Sequence, residues 1–438
     1  MKNQNAFESL PSLVASDEEG NIFDVPELKM AGASGLAIIA PESDSLVPMP
    51  AGSTLYLLPG RTPIGLNPKT GKEVALETWQ GKRLFAVAAF MAPAYTQTLR
   101  AAWRTGSRAP VLPLYAYTAV GWRKERFYAA GVRTDKDTRH DPDLFNDAKV
   151  NRGAEKLLSR FPGNRVVRHL VENCIRRYGC LNAKNLAMGR FEAPAPVSPG
   201  CNARCAGCLS LRHGTKAPCP QERIAFVPDP GEIIAYGIPH LENADRAMLS
   251  FGQGCEGEPL TQFELVLETI GQIRKKTSAG TLQMNTNGSK PALLEKLFDA
   301  GLDSIRVSLN SAQEKFYLRH FNPVSYSFAD VAKSVRLAHG KRKFCSINYF
   351  IFPGFTDNPE ETRAFVSFLR ENRPDCVQLR NLNLDPDTYI KVLGNEAFAG
   401  KGIGIMNWMR TVKKQCPWIR FGYYNPPREE WKAKITRD

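Results

Sequence analysis

The chain has 438 residues, 43% of them hydrophobic and 23% charged, a balance that excludes a disordered or collagen-like polymer. Its ten cysteines are too sparse for a disulfide scaffold, and no apolar run approaches the ~20 residues that a membrane-spanning helix needs. A formal net charge of +14 favours an anionic partner such as RNA, DNA or an anionic cofactor, and equally fits a basic enzyme with solvated lysines and arginines.

The opening residues, MKNQNAFESLPSLVASDEEG, lack the basic-then-apolar pattern of a secretory signal. A cytoplasmic protein with no membrane partner is therefore expected. From residue 1 to 165, short apolar runs alternate with Gly and Pro: GLAIIAP, STLYLLPG, RLFAVAAFMAP, PVLPLYAYTAVGW and RFYAAGV. Such punctuation predicts strands joined by turns, in a mostly β N-terminal accessory or substrate-presenting domain. Residues 166–190 are polar and basic, with Arg168, Arg176 and Arg177, and read as a helical connector.

From 191 to 385 the pattern changes. AMLSFG, TLQMNTNG, SIRVSLNS, KFCSINYFIFPG and CVQLRNLN read as strands, and ALLEKLFDAG, FADVAKSVRLAHG and PEETRAFVSFLREN as intervening helices. This alternation predicts an α/β fold with a parallel sheet and right-handed crossovers. Six units, counting a strand before residue 201, make a partial (β/α)6 barrel, followed by a C-terminal extension over 386–438. In parallel α/β folds the chemistry sits at the carboxyl ends of the strands.

The segment Cys201-Asn-Ala-Arg-Cys205-Ala-Gly-Cys208 carries the strongest chemical signal. Thiolates are soft, anionic ligands for iron or zinc. Three of them on one loop satisfy three corners of a 4Fe–4S cube and leave the fourth iron open to a substrate or cofactor. A zinc site with Cys219 or His213 as fourth ligand is the competing reading, although zinc sites usually pair cysteines as C-x2-C twice over.

The C-x3-C-x2-C spacing after a strand resembles the signature loop of the radical S-adenosylmethionine superfamily. The resemblance implies a 4Fe–4S cluster on Cys201, Cys205 and Cys208, with the methionine part of S-adenosylmethionine chelating the fourth iron. It further implies reductive cleavage to a 5′-deoxyadenosyl radical, fed by a flavodoxin- or ferredoxin-type electron donor. One departure is Gly207, where the family commonly has an aromatic residue. Gly254-Cys-Glu-Gly257-Glu258-Pro259 resembles the family's Gly-Gly-Glu segment, which places Gly257 and Glu258 against the methionine ammonium. By the same resemblance Asn287, Ser308, Asn310 and Gly354, each at the end of an expected strand, are cofactor contacts, and Arg380, at the end of the last strand, suits a contact to the cofactor or a substrate anion. Plainer roles exist for each: a tight turn at 287–288, a helix cap at Ser311, a helix-terminal charge at Glu258, an ion pair at Arg380. The resemblance spans about 195–385 and implies a radical SAM enzyme, without naming its substrate or the residues that act on it.

Basic residues interleave with aromatic ones at Trp103-Arg104, Trp122–Tyr128 and Trp418–Tyr424, a composition suited to stacking on bases and contacting phosphates. RNA is accordingly the first expectation for a partner and substrate. A peptide or small metabolite comes second, and the tail lacks the cysteine-rich extension associated with peptide maturation. A zinc-containing nucleic-acid-binding protein without catalysis is the alternative from another class. Cys174, Cys180 and a further cysteine are a minor candidate for a second cluster. Cys255 is the cysteine best placed for an unusual role, with inert burial as the default for all of them.

Overall fold

The computed structural model describes residues 7–211 and 219–431. The chain divides into two compact units. Unit 1 comprises Met1–Lys136, Phe350–Phe365 and Leu379–Gln415, and unit 2 comprises Asp137–Tyr349, Val366–Gln378 and Cys416–Asp438. His213, one of the two alternative zinc ligands, lies outside the described residues.

Unit 1 is mostly β, as the punctuated apolar runs predict. Its principal sheet is built from antiparallel pairs, with Ser12–Ser16 flanked by Ile22–Met30, Phe85–Phe90 and Val120–Arg123. Val14, Val87, Ala89, Met91, Val120 and Ala129 close one core cluster. The hairpin of Val120–Arg123 with Arg126–Arg133 turns on Lys124 and Glu125 alone, both at positive φ (50° and 58°). That geometry matches a two-residue turn whose twist suits the strands. The aromatic residues of this hairpin are occupied. Trp122 and Phe127 pack edge to face at 4.7 Å and lie against the core cluster, and Arg123 lies over Tyr128. All three rings are half-buried, so each packs on one side and keeps part of its surface exposed.

Unit 2 opens with helices α1 (Asp147–Arg160) and α2 (Arg165–His169), a π-helical turn over Leu170–Arg177, and α3 (Leu181–Ala187). A curled parallel sheet follows. Its strands are β1 (Arg190–Pro194), β2 (Asp245–Phe251), β3 (Thr281–Thr286), β4 (Ser304–Leu309), β5 (Phe344–Ile351), β6 (Cys376–Asn381) and β7 (Arg420–Gly422), in sequential spatial order. The chain passes into unit 1 at the carboxyl ends of β5 and β6. The seventh strand comes from the segment expected to be an extension. It pairs in parallel with β6, Cys376 opposite Arg420 and Gln378 opposite Gly422.

The crossover helices are α4 (Pro230–Asn243), α5 (Phe263–Lys276), α6 (Pro291–Ala300), α7 (Glu314–Phe321), α8 (Phe328–Gly340) and α9 (Pro359–Asn372). Their limits follow local chemistry. At the start of α8, the Ser327 hydroxyl accepts from the Asp330 amide at 3.3 Å while the Asp330 carboxylate accepts from the Ser327 amide at 2.8 Å, a capping box. Helix α6 stops at Gly301, where the amides of Gly301 and Leu302 bond back to Phe298 and Leu297. Val266, Ile270 and Ile273 of α5 and Leu294, Leu297 and Phe298 of α6 are buried. Among the described residues, no helix is long and apolar enough to cross a membrane.

Candidate cofactor site

Beyond β1, residues 195–200 lead into the cysteine loop, whose backbone is held from two sides. On one side, helix α7 presents its last carbonyls, which lack partners within the helix. The Arg204 amide donates to Phe321 and Asn322, and the Ala206 amide donates to the His320 carbonyl at 2.8 Å. On the other side stands the loop after β2. Its Glu256 carboxylate accepts four backbone amides, from Val197 (2.8 Å), Ser198 (3.0 Å), Gly252 (2.5 Å) and Gln253 (2.9 Å). The Gly257 amide donates to Ser198 and the Glu258 amide to Gly200. A Cβ on Gly257 would stand 1.8 Å from the Gly200 carbonyl oxygen, so only glycine permits this approach.

The three loop thiols are close enough to act on one another's charge. Cys201 is exposed as a residue, but the protein crowding its sulfur pushes the thiol up to about 11, with the Glu258 carboxylate and Cys208 adding to the effect. Cys205 is pushed well above the ordinary thiol range by burial first, then by Cys208 and Cys201. Arg223 approaches them as well: its Nη2 lies 3.5 Å from Cys208 Sγ and its Nε 3.1 Å from Ser210 Oγ. The loop sequence carries no sign of Arg223, which lies fifteen residues past the last thiol and folds back. Cys219, the other alternative zinc ligand, is half-buried.

Glu258 links the second and third strand ends. Its Oε1 accepts from the Thr286 hydroxyl at 2.6 Å, its Oε2 from the Asn287 amide at 2.8 Å, and burial pushes its carboxyl up to about 7. The Asn287 side chain returns to the loop, its Nδ2 donating to Asn202 Oδ1 at 2.7 Å. Cys201, Cys205, Cys208, Gly257, Glu258 and Asn287 thus form one connected neighbourhood. Ser308 lies on β4, its hydroxyl accepting from Asn348. Asn310 is fully buried and donates to the Phe316 carbonyl in α7. Gly354 and Arg380 belong to unit 1. There, Gly354 has φ of 91° and donates its amide to Asp357 at 2.6 Å, and Arg380 is half-buried.

One face of the sheet is unexpectedly polar. Parallel strands covered on both sides are normally apolar throughout. Here alternate positions carry Glu192, Ser250, Gln283, Asn285, Arg306, Ser308, Ser346, Asn348 and Gln378, most of them buried. Asn425, after β7, ties several together. Its Nδ2 donates to Glu192 (2.8 Å) and Gln283 (3.2 Å), and its Oδ1 accepts from Gln378 (2.9 Å), which in turn accepts from Arg306 (3.1 Å). Burial presses the Glu192 carboxyl to stay protonated, but the charges of Arg306 and Arg139 outweigh it and hold its proton affinity low.

A half-barrel of parallel strands, with three thiols at the end of its first strand and a buried carboxylate at the end of its second, defines a cofactor-dependent α/β enzyme. The family comparison makes the class specific. Residues 195–366 match the model of the Radical SAM superfamily, and that segment is a radical SAM domain, of a family whose members bind a 4Fe–4S cluster and S-adenosylmethionine. No curated protein sequence matches the chain. Among solved structures it is similar to SuiB of Streptococcus suis bound to S-adenosylmethionine, at 14% identity, 60% of this chain, 52% of that chain and a TM-score of 0.37. It thus spans about half of SuiB. A radical SAM methyltransferase from Sphaerobacter thermophilus matches at 13% identity, 53% and 66% coverage and a TM-score of 0.38. The maturase HydG from Carboxydothermus hydrogenoformans matches at 12% identity, 65% and 72% coverage and a TM-score of 0.34.

Proposed function

We propose that Cys201, Cys205 and Cys208 hold the cluster and that the chain uses it to modify RNA. The observation that carries the site assignment is the gathering of three thiols on a loop whose backbone is held by α7 and Glu256. When bound, the cluster and S-adenosylmethionine supply a carbon-centred radical that abstracts hydrogen from a substrate. The donor set fits: three soft ligands, no fourth cysteine in the loop, and Arg223 beside Cys208 to offset thiolate charge. Gly257 permits the close passage of the methionine-binding segment, and Glu258 and Asn287 shape its far wall. Because both Glu258 oxygens accept internal hydrogen bonds, its carboxylate positions the strand ends as well as facing an ammonium. Ser308 and Asn310, in the same unit as the thiols, are the further cofactor contacts in this reading. Electrons come from a flavodoxin- or ferredoxin-type donor.

The net charge of +14 supports RNA, through phosphate contacts. The polar face of the sheet supports a second reading, a small polar metabolite held among Glu192, Arg306 and Asn425. The test is anaerobic reconstitution with reductant and S-adenosylmethionine. 5′-Deoxyadenosine is expected from the wild type and none from Cys201→Ala, Cys205→Ala or Cys208→Ala. Equal production by these variants overturns the ligand assignment. RNA that co-purifies and loses affinity steeply with salt supports the first substrate reading, and a salt-insensitive protein free of nucleic acid supports the second.

A further inference from the structure

A second group of metal-type side chains lies outside the cysteine loop. One donor atom each of His169, Cys174 and Cys255 falls within 4.8 Å of the other two, and all three residues are buried. The spacing is informative. Ligands about 2.3 Å from one tetrahedral ion stand roughly 3.8 Å apart, whereas the corners of an iron–sulfur cube spread their thiolates farther. Two thiols and an imidazole at this distance match a single ion, and the donor types match zinc.

The local backbone brings the donors together. Helix α2 ends at His169, and the chain continues as a π-helix over Leu170–Arg177. Winding that closes i→i+5 hydrogen bonds stacks residues five apart, which sets Cys174 over His169, and an α-helical continuation would turn Cys174 aside. Such turns are uncommon and occur often at functional positions. Cys255 arrives from the loop after β2, fixed by the Ile224 amide on its carbonyl at 2.7 Å.

His169 is 7% exposed, and its Nε2 has no hydrogen-bond partner closer than the Cys255 thiol, with which the imidazole interacts. Its Nδ1 lies 3.0 Å from the Asn173 side-chain amide. As placed, Asn173 Nδ2 donates to Nδ1 and leaves the proton on Nε2; ligation through Nε2 requires the Asn173 amide to turn its oxygen to Nδ1. Cys180 lies next to the group in the chain, its amide bonded to the Cys174 carbonyl at 2.7 Å, but it is outside the set whose donor atoms lie within 4.8 Å of one another.

We propose that His169, Cys174 and Cys255 form a three-ligand zinc site. Zinc there ties the helical segment before β1 to the loop that carries Glu256, Gly257 and Glu258. The assignment does not depend on what the cysteine loop binds.

The test uses the Cys201→Ala/Cys205→Ala/Cys208→Ala chain, purified anaerobically, so that the first site contributes no metal. About one zinc per chain is expected, falling at least tenfold when Cys174→Ala, Cys255→Ala or His169→Ala is added, and retained with His169→Cys. Should the added substitutions impair folding, cobalt titration of the three-alanine chain reads the same site: absorption bands of tetrahedral, thiolate-ligated cobalt, lost on zinc addition, are expected. The proposal is overturned if that chain holds no zinc and gives no such bands, or if its metal is unaffected by the added substitutions. Equal iron and sulfide, or a Cys174–Cys255 disulfide in the anaerobic protein, overturns it as well.

Discussion

Glu256 shows how much one side chain can organise. Four amides from two segments converge on its carboxylate, and burial pushes its carboxyl up to about 7. Removing it leaves buried donors without an acceptor, each costing about 1–3 kcal/mol. Glu256→Ala is expected to destabilise the protein by at least about 3 kcal/mol in a denaturant titration, and to lower iron content with Cys201, Cys205 and Cys208 intact. Unchanged stability would show that the four amides find other partners. The motif around Glu256 was legible in the sequence only as a surrounding. The spacing Gly257-Glu258 drew attention to its neighbours, because those positions resemble a known segment. The importance of Glu256 depends on residues 197–198 returning to it, which no local pattern records. The same holds for Arg223 and Asn425, which reach their partners through long returns of the chain. The three thiols were legible because one short loop contains them all.

At the level of elements, the cysteine loop is a bridge between the end of α7 and the loop after β2. Gly257 is the tightest point of that bridge. Gly257→Ala places a methyl group against the Gly200 carbonyl and must displace one strand-end loop from the other. The expected result is a several-fold loss of reconstituted iron and of 5′-deoxyadenosine, while far-ultraviolet circular dichroism stays unchanged; full activity would mean that the approach is not required. Strand and helix alternation from 191 onward was read correctly because the elements are short, regular and capped, as at Ser327 and Gly301. β7 was missed. Arg420–Gly422 is three residues long, too short for a periodic signal, and exists because β6 offers it an edge. The π-helix was missed for a related reason: propensity scales distinguish helix from strand, and nothing in Leu170–Arg177 taken alone favours i→i+5 closure. At the Trp122–Tyr128 hairpin, composition suggested an exposed stacking surface, but alternation in a strand turns half of such residues inward.

For unit 2 as a whole, an ionic chain joins its beginning, middle and end. Asp137 pairs with Arg139 at 2.7 Å and with Arg246 at 3.0 Å, and Arg246 pairs with Glu430 at 3.0 Å. Burial would raise the Asp137 carboxyl, but hydrogen bonds and charge from Arg139, helped by Arg246, overcome it and hold the group at about 2. Its proton affinity is lower folded than unfolded, so ionised Asp137 favours the fold. That contribution is fully present above pH about 4 and is lost as pH falls through about 2. Asp137→Asn should therefore melt below the wild type at pH 7, and the gap should close as melting curves are taken toward pH 2. A gap independent of pH would assign the effect to shape rather than charge.

The mooring of residues 201–208 to the end of α7 and to Glu256 has a consequence for the life of the enzyme. None of those backbone bonds needs iron. If the loop keeps these bonds without metal, amide exchange at Arg204 and Ala206 should be as slow in the metal-free protein as in the reconstituted one, and the emptied socket can then be refilled.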